Sequence, residues 1–214
     1  RIFRQGRCGP DSAFWLLISS DHGMTSATRA VHPRRPAFAG RDTGRDVEIV
    51  SSGPLANLHF PEGTDQRQRA TVRRLRNIEG VRAWRRSELP PSLEYGHPDR
   101  SGDVVILLPP GEVFSFRASG QATAAHLIGL RGMHGHDSDE VPAMQTILRI
   151  HREPPLPQDL RGLDLGKVDA RRLHATAAAL LSIAPAESAH SVPLLRMDAG
   201  RPHATARDST PPSR

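Results

Sequence analysis

Hydrophobic positions fall into short runs broken by turn residues. Residues 13–19 read AFWLLIS and end in a polar Ser-Ser-Asp-His-Gly turn. A short apolar run without polar alternation predicts a strand buried on both faces of a parallel sheet. Ligands in open α/β sheets bind beyond the carboxyl ends of strands, so the polar residues after Ser19 stand where chemistry is expected. Residues 47–50 and 55–60 read as a hairpin around Ser-Ser-Gly-Pro. Residues 64–78 predict a helix, capped by Thr64-Asp65, with Ala70, Val72, Leu75 and Ile78 as its apolar stripe, and Gly80 stops it.

Strands are expected at 81–85 and 103–108, the second ended by Pro109-Pro110-Gly111. Together these elements make a small α/β lobe over residues 40–111. One more strand is expected at 144–150, after Pro142, and a helix at 169–183 with Leu173, Ala177, Leu180 and Leu181 on its apolar face. Beyond Pro185 the periodicity fades into Ala, Ser, Pro, Arg and His, so residues 187–214 are expected to form a disordered tail.

At 214 residues, 37% hydrophobic and only 4% aromatic, the chain suffices for one ordinary domain with a thin core. No apolar run approaches the ~20 residues of a membrane span, so the chain reads as soluble. Cys8 is the single cysteine, which excludes an internal disulfide framework and a cysteine-based zinc site. The net charge of +6 raises a nucleic-acid partner, but the arginines are scattered and few aromatics stand ready to stack on bases.

Two stretches carry candidate chemistry. In Ser19-Ser20-Asp21-His22-Gly23-Met24 a carboxylate and an imidazole follow one another at a strand end, and oxygen and nitrogen donors of this kind bind zinc. Either stretch alone reads more readily as turn or loop chemistry. The other is Gly132-Met133-His134-Gly135-His136-Asp137, where a histidine between glycines has little apolar packing to explain it. His136, two residues on, would point the same way as His134 on an extended chain. His32, His59, His97, His126 and His151 lack ligand spacing and read as structural or solvent-facing. The acidic run Asp137, Asp139 and Glu140 reads as a solvated turn.

Taken in order, these stretches resemble the type I phosphodiesterase/nucleotide pyrophosphatase family of the alkaline phosphatase superfamily. In that family a buried strand leads into Ser-Asp-His-Gly-Met, as Ser20 to Met24 stand here, and a downstream Gly-Thr-His-Gly-Tyr loop precedes a Pro-x-Met step. Here these are Gly132 to His136 and Pro142-Ala143-Met144. Val168-Asp169 through Leu180-Leu181-Ser182-Ile183-Ala184-Pro185 is similar to the family's closing helix, so the resemblance spans roughly residues 13–186.

The resemblance implies an α/β, alkaline phosphatase-like sandwich lacking the N-terminal part of the domain, with residues 1–186 as its C-terminal portion. It implies a zinc-dependent hydrolase of phosphodiester or pyrophosphate bonds, acting on a small phosphate ester. Asp21 and His22 would bind the zinc that activates the nucleophile, and His134 a second zinc. The family's Thr or Ser nucleophile and its remaining ligands precede the Asp-His-Gly strand, and Asp11 is followed four residues on by Trp15 rather than His, so no catalytic nucleophile is assigned in this chain. The missing N-terminal half is then an expected partner, and the chain alone is expected to be inactive. Met133 and His136 stand where the family has Thr and Tyr. Family analogy implies an extracellular or periplasmic location. Two other readings stay open: a non-catalytic remnant or interaction module, and an arginine-rich nucleic-acid binder.

Overall fold

The structure, a computed structural model, describes residues 13–38, 44–118, 123–187, 192–198 and 201–205. In chain order these form β1 (Phe14–Ser19), β2 (Thr25–Ser26), β3 (Arg29–Val31), the short helix α1 (Arg34–Ala37), β4 (Glu48–Ser52) and β5 (Leu55–His59). Helix α2 (Asp65–Arg76) and strands β6 (Arg82–Arg85), β7 (Val104–Leu107), β8 (Glu112–Phe114), β9 (Thr123–Ala124) and β10 (Gly132–Met133) follow. The last elements are β11 (Leu148–Glu153), α3 (Arg172–Leu180), β12 (Leu195–Asp198) and β13 (Arg201–Ala204). The chain is thus mixed α/β, and it divides into two units. One is Ser20–Ile147; the other comprises the described residues of Arg1–Ser19 and Leu148–Arg214.

The first unit is built on an antiparallel four-stranded sheet in the order β4-β5-β7-β6. The unbroken apolar run of β7 puts it inside the sheet, buried at every position. Helix α2 lays Val72 and Leu75 on this sheet beside Leu58, Val104 and Ile106. Its inner face includes Thr71 rather than Ala70 and Ile78, because the helix ends at Arg76 and leaves Ile78 38% exposed. Thr64 does not cap with its side chain; its hydroxyl donates to the Pro61 carbonyl at 2.6 Å. A second sheet orders β8-β3-β9 and shares a small core of Ala27, Ala30, Val113, Ala125 and Met133.

His32, at the end of β3, supplies a pH dependence. Its Nδ1 accepts the Arg34 backbone N–H at 3.3 Å, and burial first, then the charges of Arg35 and Arg34, push its pKa below 6.5. The unfolded chain therefore takes up the proton first as pH falls, so this contribution to stability is present above the ordinary histidine value and is lost below it. His136 shifts in the same direction through burial. His32→Asn keeps an acceptor without the titration. Urea midpoints at about pH 7.5 and about pH 5.5 should lie closer together in this variant than in the wild type, and an unchanged gap would refute the account.

In the other unit, β1 pairs antiparallel with β11. The expected parallel strand with both faces buried is not what the described residues form. Phe14, Leu16 and Ile18 face Glu153, His151 and Arg149 across the ladder and remain 38%, 36% and 45% exposed. Strand β11 begins at Leu148 rather than Met144, because Pro142 opens a 3-10 turn over Pro142–Met144. Helix α3 is shorter than residues 169–183 and buries Ala175, Thr176, Ala178 and Leu180; Leu181, past its end, is 67% exposed.

Strands β12 and β13 form an antiparallel pair within the stretch expected to be a disordered tail. Leu194 and Leu195 supply the apolar anchor that the surrounding composition obscures, and both are buried. Helix α3 supplies the polar partners: Thr176 Oγ1 accepts the Leu194 N–H at 2.8 Å, and Arg172 Nε donates to the Val192 carbonyl at 3.0 Å. The rest of that expected tail, residues 188–191, 199–200 and 206–214, lies outside the described residues. Among the described residues no helix is long and apolar enough to cross a membrane.

Candidate metal centre

Asp21, His22 and His134 all lie in the Ser20–Ile147 unit. The segment from Ser20 to Gly23 runs beside residues 143–146. Gly23 N–H donates to the Met144 carbonyl at 2.9 Å, and Ser20 N–H donates to Thr146 Oγ1 at 3.1 Å. Gly23 is required by space: a β-carbon there would strike the Ala143 carbonyl group, 2.8 Å from its carbon, and sit 2.9 Å from the Gln145 oxygen.

Immediately afterwards β2 pairs with β10, Thr25 opposite Met133 and Ser26 opposite Gly132. The Ala27 N–H extends this ladder to the Arg131 carbonyl at 2.9 Å. This short antiparallel ladder carries the chain around residue 22 to the chain around residue 134. The His22 and His134 rings stack with centroids 3.7 Å apart and planes 13° from parallel.

The two histidines are held differently. His22 Nδ1 lies 2.8 Å from the Gly23 carbonyl oxygen, which can only accept, so Nδ1 carries the hydrogen and Nε2 keeps its lone pair. The Asp21 carboxylate accepts the His22 backbone N–H at 2.9 Å, and its other oxygen is 3.5 Å from His22 Nε2. Asp21 is displayed rather than packed, its side chain 85% exposed. His134 is exposed on a loop that leans on the β4–β5 turn: a β-carbon at Gly53 would come within 2.8 Å of the His134 carbonyl oxygen.

His136 does not join them. Gly135, at φ +103°, breaks the extended alternation, so His134 faces outward while His136 is 8% exposed. Buried, His136 Nε2 has no hydrogen-bond partner among the described residues, and burial lowers its pKa. The expected acidic turn carries ion pairs, Arg82 engaging both Glu140 and Asp137. Beside His134 opens a cavity of about 370 Å³, lined among others by Ser52, Phe114, Ser115, Arg117, Ile128 and Met133.

A sequence profile of the type I phosphodiesterase / nucleotide pyrophosphatase family matches residues 11–137, more than half of the chain and all of Asp21, His22 and His134. The chain belongs to the type I phosphodiesterase / nucleotide pyrophosphatase family. The matched stretch ends at Asp137, so the likeness of residues 142–186 rests on their motifs alone.

Among solved structures, the chain is similar to murine ectonucleotide pyrophosphatase / phosphodiesterase 5, at 21% identity and a TM-score of 0.48 over 64% of this chain and 33% of that one. Its human counterpart is similar at 18% identity, with the same TM-score of 0.48 and the same coverage, 64% and 33%. The chain thus spans about a third of the length of the structures it matches. No curated protein matches it.

As donors, one carboxylate and two imidazoles suit zinc, and His22 keeps the nitrogen it would need. Among the described residues, however, no three His, Cys, Asp or Glu side chains gather around one point. Parallel stacked rings direct their lone pairs side by side or apart rather than to a common point.

Proposed function

We propose that this chain contributes Asp21, His22 and His134 to a two-zinc centre that hydrolyses phosphodiester or pyrophosphate bonds of nucleotide-like substrates. Family membership supports a hydrolase of phosphate esters. The observation that carries the finer reading is the His22–His134 stack, which brings the imidazoles of two distant segments within 3.7 Å of each other, centroid to centroid. Asp21 and His22 would hold one ion and His134 the other. When bound, such ions neutralise charge developing on phosphorus and clamp the attacking and leaving oxygens.

The chain's own residues prepare this. The Gly23 carbonyl fixes the His22 tautomer, so the ring donates from Nε2. Gly135 and Gly53 let the His134 loop and the β4–β5 turn approach closely. The cavity beside His134, with a mixed polar and apolar lining that includes Arg117, offers room for one substituent of a phosphate ester.

Isothermal titration with zinc, run beside hydrolysis of a nitrophenyl phosphate diester, tests the proposal. The chain alone should take up zinc weakly, because three protein donors normally hold each ion, and should turn nothing over. His22→Ala and His134→Ala should each weaken uptake further. Uptake indifferent to both substitutions would overturn the ligand assignment. Tight stoichiometric uptake with turnover would show that the chain carries a nucleophile and the remaining ligands.

A second reading, an interaction module that folds against a partner, draws on the exposed Phe14, Leu16 and Ile18 of β1. It predicts association that chelators leave untouched. The nucleic-acid reading draws less support, since Arg67, Arg69, Arg82 and Arg85 pair with carboxylates.

A further inference from the structure

Between Ser20 and Gly23 the chain is fastened at both ends to one short segment, and only Asp21 and His22 lie between the fastenings. At the far end the bond is main chain to main chain, Gly23 N–H to the Met144 carbonyl at 2.9 Å. At the near end a single side chain does the work. Thr146 Oγ1 accepts the Ser20 N–H at 3.1 Å and donates to the Ser20 carbonyl at 2.7 Å. Its hydrogen is committed to that carbonyl, the Ile147 carbonyl being farther at 3.4 Å. The Ser20 hydroxyl, also against Thr146 Oγ1, must then be the donor of that third bond. One hydroxyl thereby fills its capacity on one residue, giving once and accepting twice.

Asp21, 85% exposed, has no packing to aim it; His22, 35% exposed, rests on the His134 ring and the Gly23 carbonyl, and its ring reaches both only from the backbone position that the two fastenings hold. We infer that Thr146 is a positioning residue for the Asp21–His22 step, acting through Ser20. It lies outside the family-matched stretch of residues 11–137. Its bearing on zinc rests on the ligand reading above; its bearing on the orientation of His22 does not.

Thr146→Val keeps the branched shape and removes both donor and acceptor, while Thr146→Ser restores them. The full chain, labelled with ¹³C at histidine Cε1, is compared at one fixed pH, with His22→Gln and His134→Gln used to assign the signals. The wild-type His22 resonance carries the ring-current shift of the stacked His134 ring. In Thr146→Val it should move toward the free-imidazole position, with little change in the urea midpoint because the hydroxyl sits at the surface. Zinc affinity, read by competition with a chromophoric chelator, should fall about tenfold, the scale of losing a supporting hydrogen bond behind a metal ligand. Thr146→Ser should recover both readings.

An unmoved His22 resonance in Thr146→Val overturns the inference. So does a loss of the folded state, or a fall in the urea midpoint accompanied by shifts in every histidine signal, since the role would then be structural. A moved resonance with unchanged zinc affinity upholds the orienting role and removes Asp21 and His22 from the ligand set. If the wild type takes up no zinc at all, the two-zinc reading fails while the resonance still decides the role of Thr146.

Discussion

Gly23→Ala parts the stacked imidazoles of His22 and His134 and lowers stability by about 3 kcal/mol, the upper end of the usual cost of overpacking. The obstacle is backbone on every side: the Ala143 carbonyl, with its carbon 2.8 Å from the new methyl, and the Gln145 carbonyl oxygen at 2.9 Å. No rotamer change relieves a clash between main-chain atoms, so one strand of chain must retreat. Retreat breaks the Gly23 N–H bond to the Met144 carbonyl, and the step that displays Asp21 and His22 swings away from residue 134. Urea denaturation reads the loss of stability and zinc titration the parting of the two histidines. An alanine variant with a wild-type midpoint and wild-type uptake would mean that the turn does not lie against residues 143–145.

Ile106→Ala should cost about 3–4 kcal/mol, within the range for truncating a fully buried aliphatic side chain. Ile106 is inaccessible to solvent at 0% exposure, in the middle of β7, and its neighbours on the flanking strands are Ala56 and Ala83. In that row isoleucine supplies nearly all the side-chain volume. Two alanines cannot reach across to fill the space it leaves, and Val72 and Leu75 of α2 belong to the same cluster. The midpoint of urea unfolding should fall accordingly, with no new partner available on the strand. A loss below about 1 kcal/mol would show that the row repacks and that β7 is not the centre of this sheet.

The legible parts of the fold were those where local signals agreed. Ser-Ser-Gly-Pro between two apolar runs marks the β4–β5 hairpin, and the unbroken run at 103–108 marks an inner strand. Where a pattern reports burial without partner, it misleads. The run at residues 13–19 says strand but not pairing direction, and β1 lies antiparallel to β11. Helix ends were overrun because Ile78, Leu181 and Ile183 prolong an apolar stripe past the last helical turn. Leu194 and Leu195 escaped notice because two adjacent leucines in a polar stretch have no period, although burial against α3 suffices to order a hairpin.

At the candidate centre, the order of the motifs singles out Asp21, His22 and His134; no periodicity joins residue 22 to residue 134. Spacing alone placed His136 beside His134, and the positive φ of Gly135 undoes that inference. Thr146 carried no signal, since one threonine ahead of a strand looks like any other polar residue. Its three bonds to Ser20 exist only once the chain has folded.

Tips of β-hairpins ordinarily tolerate added residues, because they face water and little leans on them. The tip at Gly53 and Pro54 does not have that liberty. The His134 carbonyl rests where a Gly53 side chain would grow, and Pro54 backs Gly135. Lengthening this bend even by one residue would push the loop that carries His134 off its support, so the contour of a surface turn is held fixed by a segment about eighty residues further along the chain.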